Sequence, residues 1–300
     1  MIEYSVPWTN ADSCSTWLAD FVTKALIDEA ELTPKPGLVD METAGAHTDL
    51  HIDLMRRSAQ ALRETFAEMA RVAFRSKPNQ ELREQLARIG RDGEEVMLEA
   101  TGGTNTHRGA IWALGLLTAG AAIHGPPASP KEIAALAGEI ARYPDRFAPV
   151  RTTNGIRVQQ QYKVSGATGE AQQGFPHVIH IGLPTLQSSR HRGASESQAK
   201  LDALLAIIAS LDDTCLLHRG GREALHFAKQ GARHVLVLGG TSTEEGWNAL
   251  RQLDTGLIAR NASPGGSADL LAATLFLDHL SMYGSNRYKV VIGGAFGWNN

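Results

Sequence analysis

The chain has 300 residues, enough for one large domain or two ordinary ones. Hydrophobic residues make up 43% and charged residues 20%, a globular balance that excludes a disordered chain. The net charge of −3 gives no reason to expect a nucleic acid or an anionic membrane as a partner. Cys14 and Cys215 are the only cysteines, so neither a zinc motif nor a disulfide framework is available. The start, MIEYSVPWTN, has no basic region followed by an apolar one, and no signal peptide is read there. The longest apolar stretch, Ala110 to Ile123, falls short of the ~20 residues that span a bilayer. A cytoplasmic protein is expected.

The dominant period along the chain is helical. Trp17, Leu18, Phe21, Val22, Ala25 and Leu26 step by three and four, and Met55, Ala59, Leu62, Phe66, Met69 and Ala73 form an apolar stripe. Leu82, Leu86 and Ile89 continue the pattern. Ile111 to Ile123 is apolar on most faces and predicts a buried central helix. Ser129-Pro130-Lys131-Glu132 is a capping box with proline at the first helical position, and Pro144 ends that helix. Further helices are predicted over Leu201 to Asp212, Ala224 to Leu238, Glu244 to Leu257 and Ala268 to Leu280. Val235 to Leu238 has strand character but follows a helical period without a break, so helix is preferred. Arg151 to Gln173, polar and rich in Gln and Gly, reads as a long ordered loop of a kind that is often functional. The expectation is an all-α fold: one globular domain of about ten helices over 1–280, with an irregular C-terminal tail over 281–300.

Four glycine pairs precede predicted helices: Gly102-Gly103, Gly220-Gly221, Gly239-Gly240 and Gly265-Gly266. A helix start offers free N–H groups and partial positive charge, and glycine lets a ligand approach the backbone. Such starts suit phosphate, although glycine also simply closes the preceding helix. The first pair is followed by Asn105, Thr106, His107 and Arg108. Arg108 has the forked donor set that suits phosphate; His107 either titrates near neutrality or donates a hydrogen bond. The last pair is followed by Ser267, a candidate cap, and by Asp269. Asp269 complements the helix dipole or serves as a carboxylate for Mg²⁺ held on a polyphosphate.

Lys35 lies between two prolines, with Asp40, His47 and Asp49 close behind. A stiff loop lowers the entropy cost of presenting an ammonium to an anion. Asp212-Asp213 and Arg219 flank the second glycine pair, and Asp213 is the acid expected to face inward. Glu94-Glu95 forms a similar acidic pair, or a plain polar helix face. No nucleophile elbow, P-loop, dinucleotide fingerprint or HExxH is present. The residues suit a polyphosphate with Mg²⁺ on a helical scaffold.

These clusters, in this order, resemble the triphosphoribosyl-dephospho-CoA synthase family. The matching segments are LTPKPGLVD (32–40), GAHTD (45–49), TGGTNTHRGAIWALGLL (101–117), LDDTCLLHRGG (211–221) and NASPGGSADLLAAT (261–274). The run GRDGEEVMLEATGGTNTHRGAIWALGLL is further similar to the branch serving malonate decarboxylase rather than citrate lyase. The resemblance implies a transferase that joins ATP to 3′-dephospho-CoA and releases adenine. The product would feed the prosthetic group of an acyl-carrier subunit through a downstream transferase. By that resemblance Lys35, Gly102, Gly103, Asn105, Thr106, Arg108, Arg219, Gly265, Gly266 and Ser267 are expected to hold the nucleotide, and Asp40, Asp213 and Asp269 to bind Mg²⁺. His107 is the favoured acid or base, with His47 and Glu95 behind it. A homodimer is carried as an expectation. An N-glycosidic hydrolase and a nucleotide-binding protein without turnover are the alternatives.

Overall fold

A computed structural model describes residues 8–126, 128–149 and 154–284. Among these the fold is all-α, built from α1 (Ala11–Ala30), α2 (Ile52–Ala61), α3 (Arg63–Ala73), α4 (Gln80–Ala100), α5 (Arg108–His124), α6 (Pro130–Arg142), α7 (Asn154–Tyr162), α8 (Gly166–Gln172), α9 (Leu183–His191), α10 (Glu196–Ser210), α11 (Thr214–Val237), α12 (Glu244–Ala259) and α13 (Gly265–Gly284).

Helix α5 is the axis of the molecule. Twelve of its 17 residues are buried, which follows from its nearly uniform apolar sequence. It touches α1, α3, α4, α6 and α13. At Gly120 a Cβ would lie 2.5 Å from the Ile133 carbonyl of α6, so glycine sets how closely those two helices cross. The capping box at Ser129 and Glu132 forms as read: the Ser129 hydroxyl accepts from Glu132 N–H, and the Glu132 carboxylate accepts from Ser129 N–H at 2.8 Å. The Met55–Ala73 stripe runs through α2 and α3, which meet at Leu62 with near-helical backbone. Val235 to Val237 is helical.

Three expectations are corrected. The stretch read as one long loop holds two helices, α7 and α8. Among their residues only Val158, Glu170 and Ala171 are buried, so no apolar stripe announces them. The α10 helix ends at Ser210 rather than Asp212, and Asp213 caps α11. Gly220-Gly221 does precede a helical run as expected: α11 is two helical runs joined across a kink at Gly221, which takes φ +63°, a value that glycine adopts without steric cost. Finally, α13 continues four residues past 280, to Gly284; the rest of the expected tail lies outside the described residues.

Candidate active site

The loop after α1 is folded around Asp40. Its Oδ2 accepts from Lys35 N–H at 3.0 Å, and its Oδ1 from the N–H groups of Glu42 and Thr43 at 2.8 Å each. This turn, braced by Gly37 N–H donating to Asp254 of α12 at 2.9 Å, points Lys35 inward. Lys35 is therefore not displayed to solvent as the proline cage suggested. It is 2% exposed, and its Nζ donates to Glu29 Oε1 at 2.5 Å. Glu29, 4% exposed, stands on the buried stripe of α1. The ion pair forms because each charge is the other's only compensation for leaving water.

His107 occupies the N-cap position of α5, its side chain making no capping bond, and is 2% exposed. Its Nδ1 is 2.8 Å from Ser58 Oγ, which is also 2.6 Å from Thr106 Oγ1. Its Nε2 is buried with no hydrogen-bond partner among the described residues. Burial, with the Lys35 charge added, lowers the imidazole pKa to about 4, so the ring is neutral at pH 7. A buried ring nitrogen without a partner is uncommon, and a ligand atom would complete it.

The N–H groups expected to cradle phosphate are largely occupied by the chain's own acceptors. The Asp269 carboxyl of α13 lies against the backbone of the first turn of α5, at Gly109 and Ala110. A Cβ at Gly109 would come 2.0 Å from Asp269 Oδ2, so only glycine admits the carboxylate there. The start of α13 is gripped by Asp213, which is 1% exposed. Its Oδ1 accepts from Cys215, Leu216 and Gly266 N–H, and its Oδ2 from Ser267 N–H and hydroxyl. Gly102 (φ +65°) and Gly103 (φ +93°) donate to the Glu99 and Leu98 carbonyls, which closes α4. A Cβ at either glycine would meet nothing within 4 Å, so the space beside this turn is open.

Asp269 has the most perturbed carboxyl of the site. Its residue keeps part of its surface accessible, as do Gly109, Gly265, Gly266 and Cys215 around it, yet protein encloses the carboxyl. Enclosure first, then the Glu29 and Asp213 charges, raise its pKa well above the ordinary value. Burial also raises Asp213. Asp269 thus lies within electrostatic reach of two further carboxyls, Glu29 and Asp213, and the one ammonium of the seam, Lys35, is paired with Glu29.

At the far end of this seam, Arg219 of α11 donates to His47 Nδ1 and to the Ala46 carbonyl, each at 2.9 Å. That bond fixes the His47 tautomer: Nδ1 accepts, so Nε2–H donates to Ser263 Oγ at 2.9 Å. Burial, then Arg219, lowers the His47 pKa to about 4. Arg219 makes no ion pair among the described residues, and it is exposed.

The predicted residues thus meet only in part. Lys35, Thr106, His107, Asp213, Ser267, Gly265, Gly266 and Asp269 meet along one seam between α1, α5, α11 and α13, and His47 and Arg219 join its rim. Asn105 serves locally, accepting Arg108 N–H at 3.2 Å. Arg108 pairs with Glu94 at 2.9 Å, whereas Glu95 is exposed on α4 and makes none of these contacts. For the three carboxylates expected to bind Mg²⁺, acceptor capacity differs. Asp213 and Asp40 are spent on N–H and O–H donors, and Asp269 has capacity left. Among the described residues no three His, Cys, Asp or Glu side chains converge as a ready metal cage. Glu29, Ser58 and Ser263 were not anticipated. Glu29 was readable: Leu18, Val22, Ala25 and Glu29 step by four, three and four, so an acid occupies an apolar stripe.

A polar seam buried inside a helical core, with a neutral imidazole and an unsaturated carboxylate, defines an all-α enzyme. The ATP:dephospho-CoA triphosphoribosyl transferase (CitG) family model matches residues 15–288, and the chain belongs to that family. It is 52% identical over 272 residues to the 2-(5''-triphosphoribosyl)-3'-dephosphocoenzyme-A synthase of Klebsiella pneumoniae, covering 91% of this chain and 97% of that one. It is similarly related to the probable synthases of Pseudomonas savastanoi pv. phaseolicola (52% identity, 90% and 93% covered) and Azotobacter vinelandii (53%, 87% and 90%). No solved structure matches the chain. Among the described residues no helix is long and apolar enough to cross a membrane.

Proposed function

We propose that the chain transfers the triphosphoribosyl unit of ATP to the 2′-hydroxyl of 3′-dephospho-CoA. The bond from C1′ of the ATP ribose to adenine N9 breaks, and a bond from C1′ to the acceptor oxygen forms. The acceptor's proton goes to a base, and adenine leaves protonated. The observation that carries this reading is the unpartnered Nε2 of His107 beside the Lys35–Glu29 pair and Asp269. Breaking a glycosidic bond builds positive charge on the ribose, and the carboxyl excess of the seam supplies the opposing field. A neutral His107 donates to or accepts from a reacting atom without adding charge.

Mg²⁺ fits the same residues. Three carboxyls against one ammonium would repel a triphosphate, and a divalent ion held by substrate phosphates and one or two carboxylates relieves that. Asp269 is the residue with acceptor capacity to meet it, and the ion would neutralise phosphate charge there. Arg219 and Arg108 offer the exposed guanidinium groups for phosphate oxygens. The malonate decarboxylase branch, and with it an acyl-carrier subunit downstream, is supported by the similarity over residues 90–117.

The test is mass spectrometry of the protein with ATP, Mg²⁺ and 3′-dephospho-CoA, each omitted in turn. Adenine together with a product heavier by one triphosphoribosyl unit is the expected result. Adenine without dephospho-CoA would make the enzyme a hydrolase. No adenine under any condition would leave a nucleotide-binding protein.

A further inference from the structure

Next to the seam, α4 and α5 enclose a cleft of about 190 Å³. Three guanidinium groups line it, from Arg83, Arg91 and Arg108, with two carboxylates, Glu94 and Asp145. Arg91 is paired with Asp145 at 2.6 Å and Arg108 with Glu94 at 2.9 Å. Arg83 is left over. It is 9% exposed, it makes no ion pair among the described residues, and its buried Nε has no hydrogen-bond partner. Its guanidinium carbon lies 5.0 Å from the centre of the Trp112 ring, a cation–π contact that offsets only part of the lost hydration. An unpartnered buried charge is among the costliest groups a core can hold. Asp145 and Glu84 lie within electrostatic reach of Arg83, but each is already paired with another guanidinium group, Arg91 and Arg146; the cleft therefore carries a desolvated guanidinium with no hydrogen-bonded counter-charge of its own among the described residues.

The rest of the wall is apolar, from Met69, Leu86, Ile111 and Trp112. An occupant matching both features is an anionic group joined to a weakly polar chain. Resting on the transferase reading above, we propose that this cleft takes the diphosphate–pantetheine arm of the 3′-dephospho-CoA acceptor, with Arg83 meeting a phosphate. Arg108 ties the cleft to the seam: it lines the cleft and stands between His107 and Gly109. A triphosphate alone would leave the apolar wall bare. The cleft is too small for the whole acceptor, so the adenosine end would remain at the seam.

The test is binding without ATP, read by calorimetry and by tryptophan fluorescence. Wild type should bind 3′-dephospho-CoA more tightly than AMP, which lacks the arm. Arg83→Met should weaken dephospho-CoA binding roughly 10- to 100-fold, the weight of a charge-assisted hydrogen bond, and leave AMP binding unchanged. Arg83→Lys should recover part of the loss. Trp112→Phe should remove the arm-dependent fluorescence change. Arg83→Met should melt no lower than wild type, because it removes an unpaired charge, so a weakened affinity would not reflect misfolding. Dephospho-CoA binding by Arg83→Met equal to wild type would overturn the assignment. If wild type releases adenine from ATP and that equality holds, the cleft assignment alone fails. If binding depends on Arg83 but no adenine is ever released, the transferase reading alone fails. No dephospho-CoA binding by wild type would overturn both.

Discussion

Asp213 Oδ2 accepts from both the backbone N–H and the hydroxyl of Ser267, 54 residues further along the chain, each at 2.8 Å. The same carboxylate caps α11 through Cys215 and Leu216 N–H. One side chain thus satisfies the starts of two helices that build the seam. Asp269 lies against the start of α5 at Gly109 and Ala110, and Asp202 holds the turn before α12, where it accepts from Thr241 N–H at 2.9 Å. Glycine-rich helix starts in this fold are held by the chain's own carboxylates.

Asp213→Ala should therefore act on folding before chemistry. It leaves several N–H groups and one hydroxyl unpaired in the core. Each unsatisfied buried donor costs about 1–3 kcal/mol, so a loss of roughly 3 kcal/mol or more is expected in urea denaturation. Asp269→Asn should differ. It removes a carboxyl already disfavoured by enclosure and by two like charges, so stability should hold while adenine release falls by about 100-fold or more, the range for losing an electrostatic stabiliser of the transition state. Equal stability losses in the two variants would contradict this division of roles.

The Lys35–Glu29 pair gives a double-mutant prediction. Lys35→Met strands the Glu29 carboxylate at 4% exposure, and removing one partner of a buried pair costs about 3–5 kcal/mol. Lys35→Met combined with Glu29→Leu should recover most of that stability, because an apolar pair of similar size packs without desolvated charge. Activity should not return with it. Chemical denaturation of the four proteins in the cycle, with adenine release measured beside it, checks both halves.

Gly109→Ala should damage the site through sterics alone. The new Cβ would fall 2.0 Å from Asp269 Oδ2, so the carboxylate must move away from the start of α5. Overpacking of this kind costs about 1–3 kcal/mol. Gly102→Ala meets open space and carries only the strain of φ +65°, about 1 kcal/mol. Turnover should collapse in the first variant and persist in the second, measured at a temperature where both are folded.

Much of this architecture was legible because helices advertise themselves by spacing. The buried α5 and the Ser129 box follow from local pattern, and so does the helical Val235 segment. The two short helices α7 and α8 bury too little to leave a stripe. At the site, the polar residue types were readable, but not what they bond to. The glycine pairs do mark helix starts and stops; that the anion at Gly266 is Asp213 depends on a contact 53 residues apart, which no local window contains. Lys35 misled for a similar reason. Its prolines shape the loop, but Asp40 and Glu29 turn the ammonium inward.

His107 offers a pH signature. Its pKa is near 4 in the folded chain against about 6.5 when unfolded. Below pH 6.5 the unfolded chain takes up a proton that the folded chain refuses, so stability falls as pH drops from about 6.5 to 4, by up to about 3 kcal/mol. His47, also near 4, acts with the same sign. Asp213 and Asp269, raised by enclosure, act with the opposite sign, since the folded chain then holds their protons more tightly. The total slope mixes these, but a variant isolates one. His107→Gln, which keeps a polar partner for Ser58, should lose less stability than wild type over this interval. The gap between the two proteins should narrow as pH falls, in denaturation curves taken from pH 7 to pH 4. A constant gap would mean that His107 has the same pKa in the folded and unfolded chains, and the enclosed imidazole that refuses a proton beside Lys35 would fall with it.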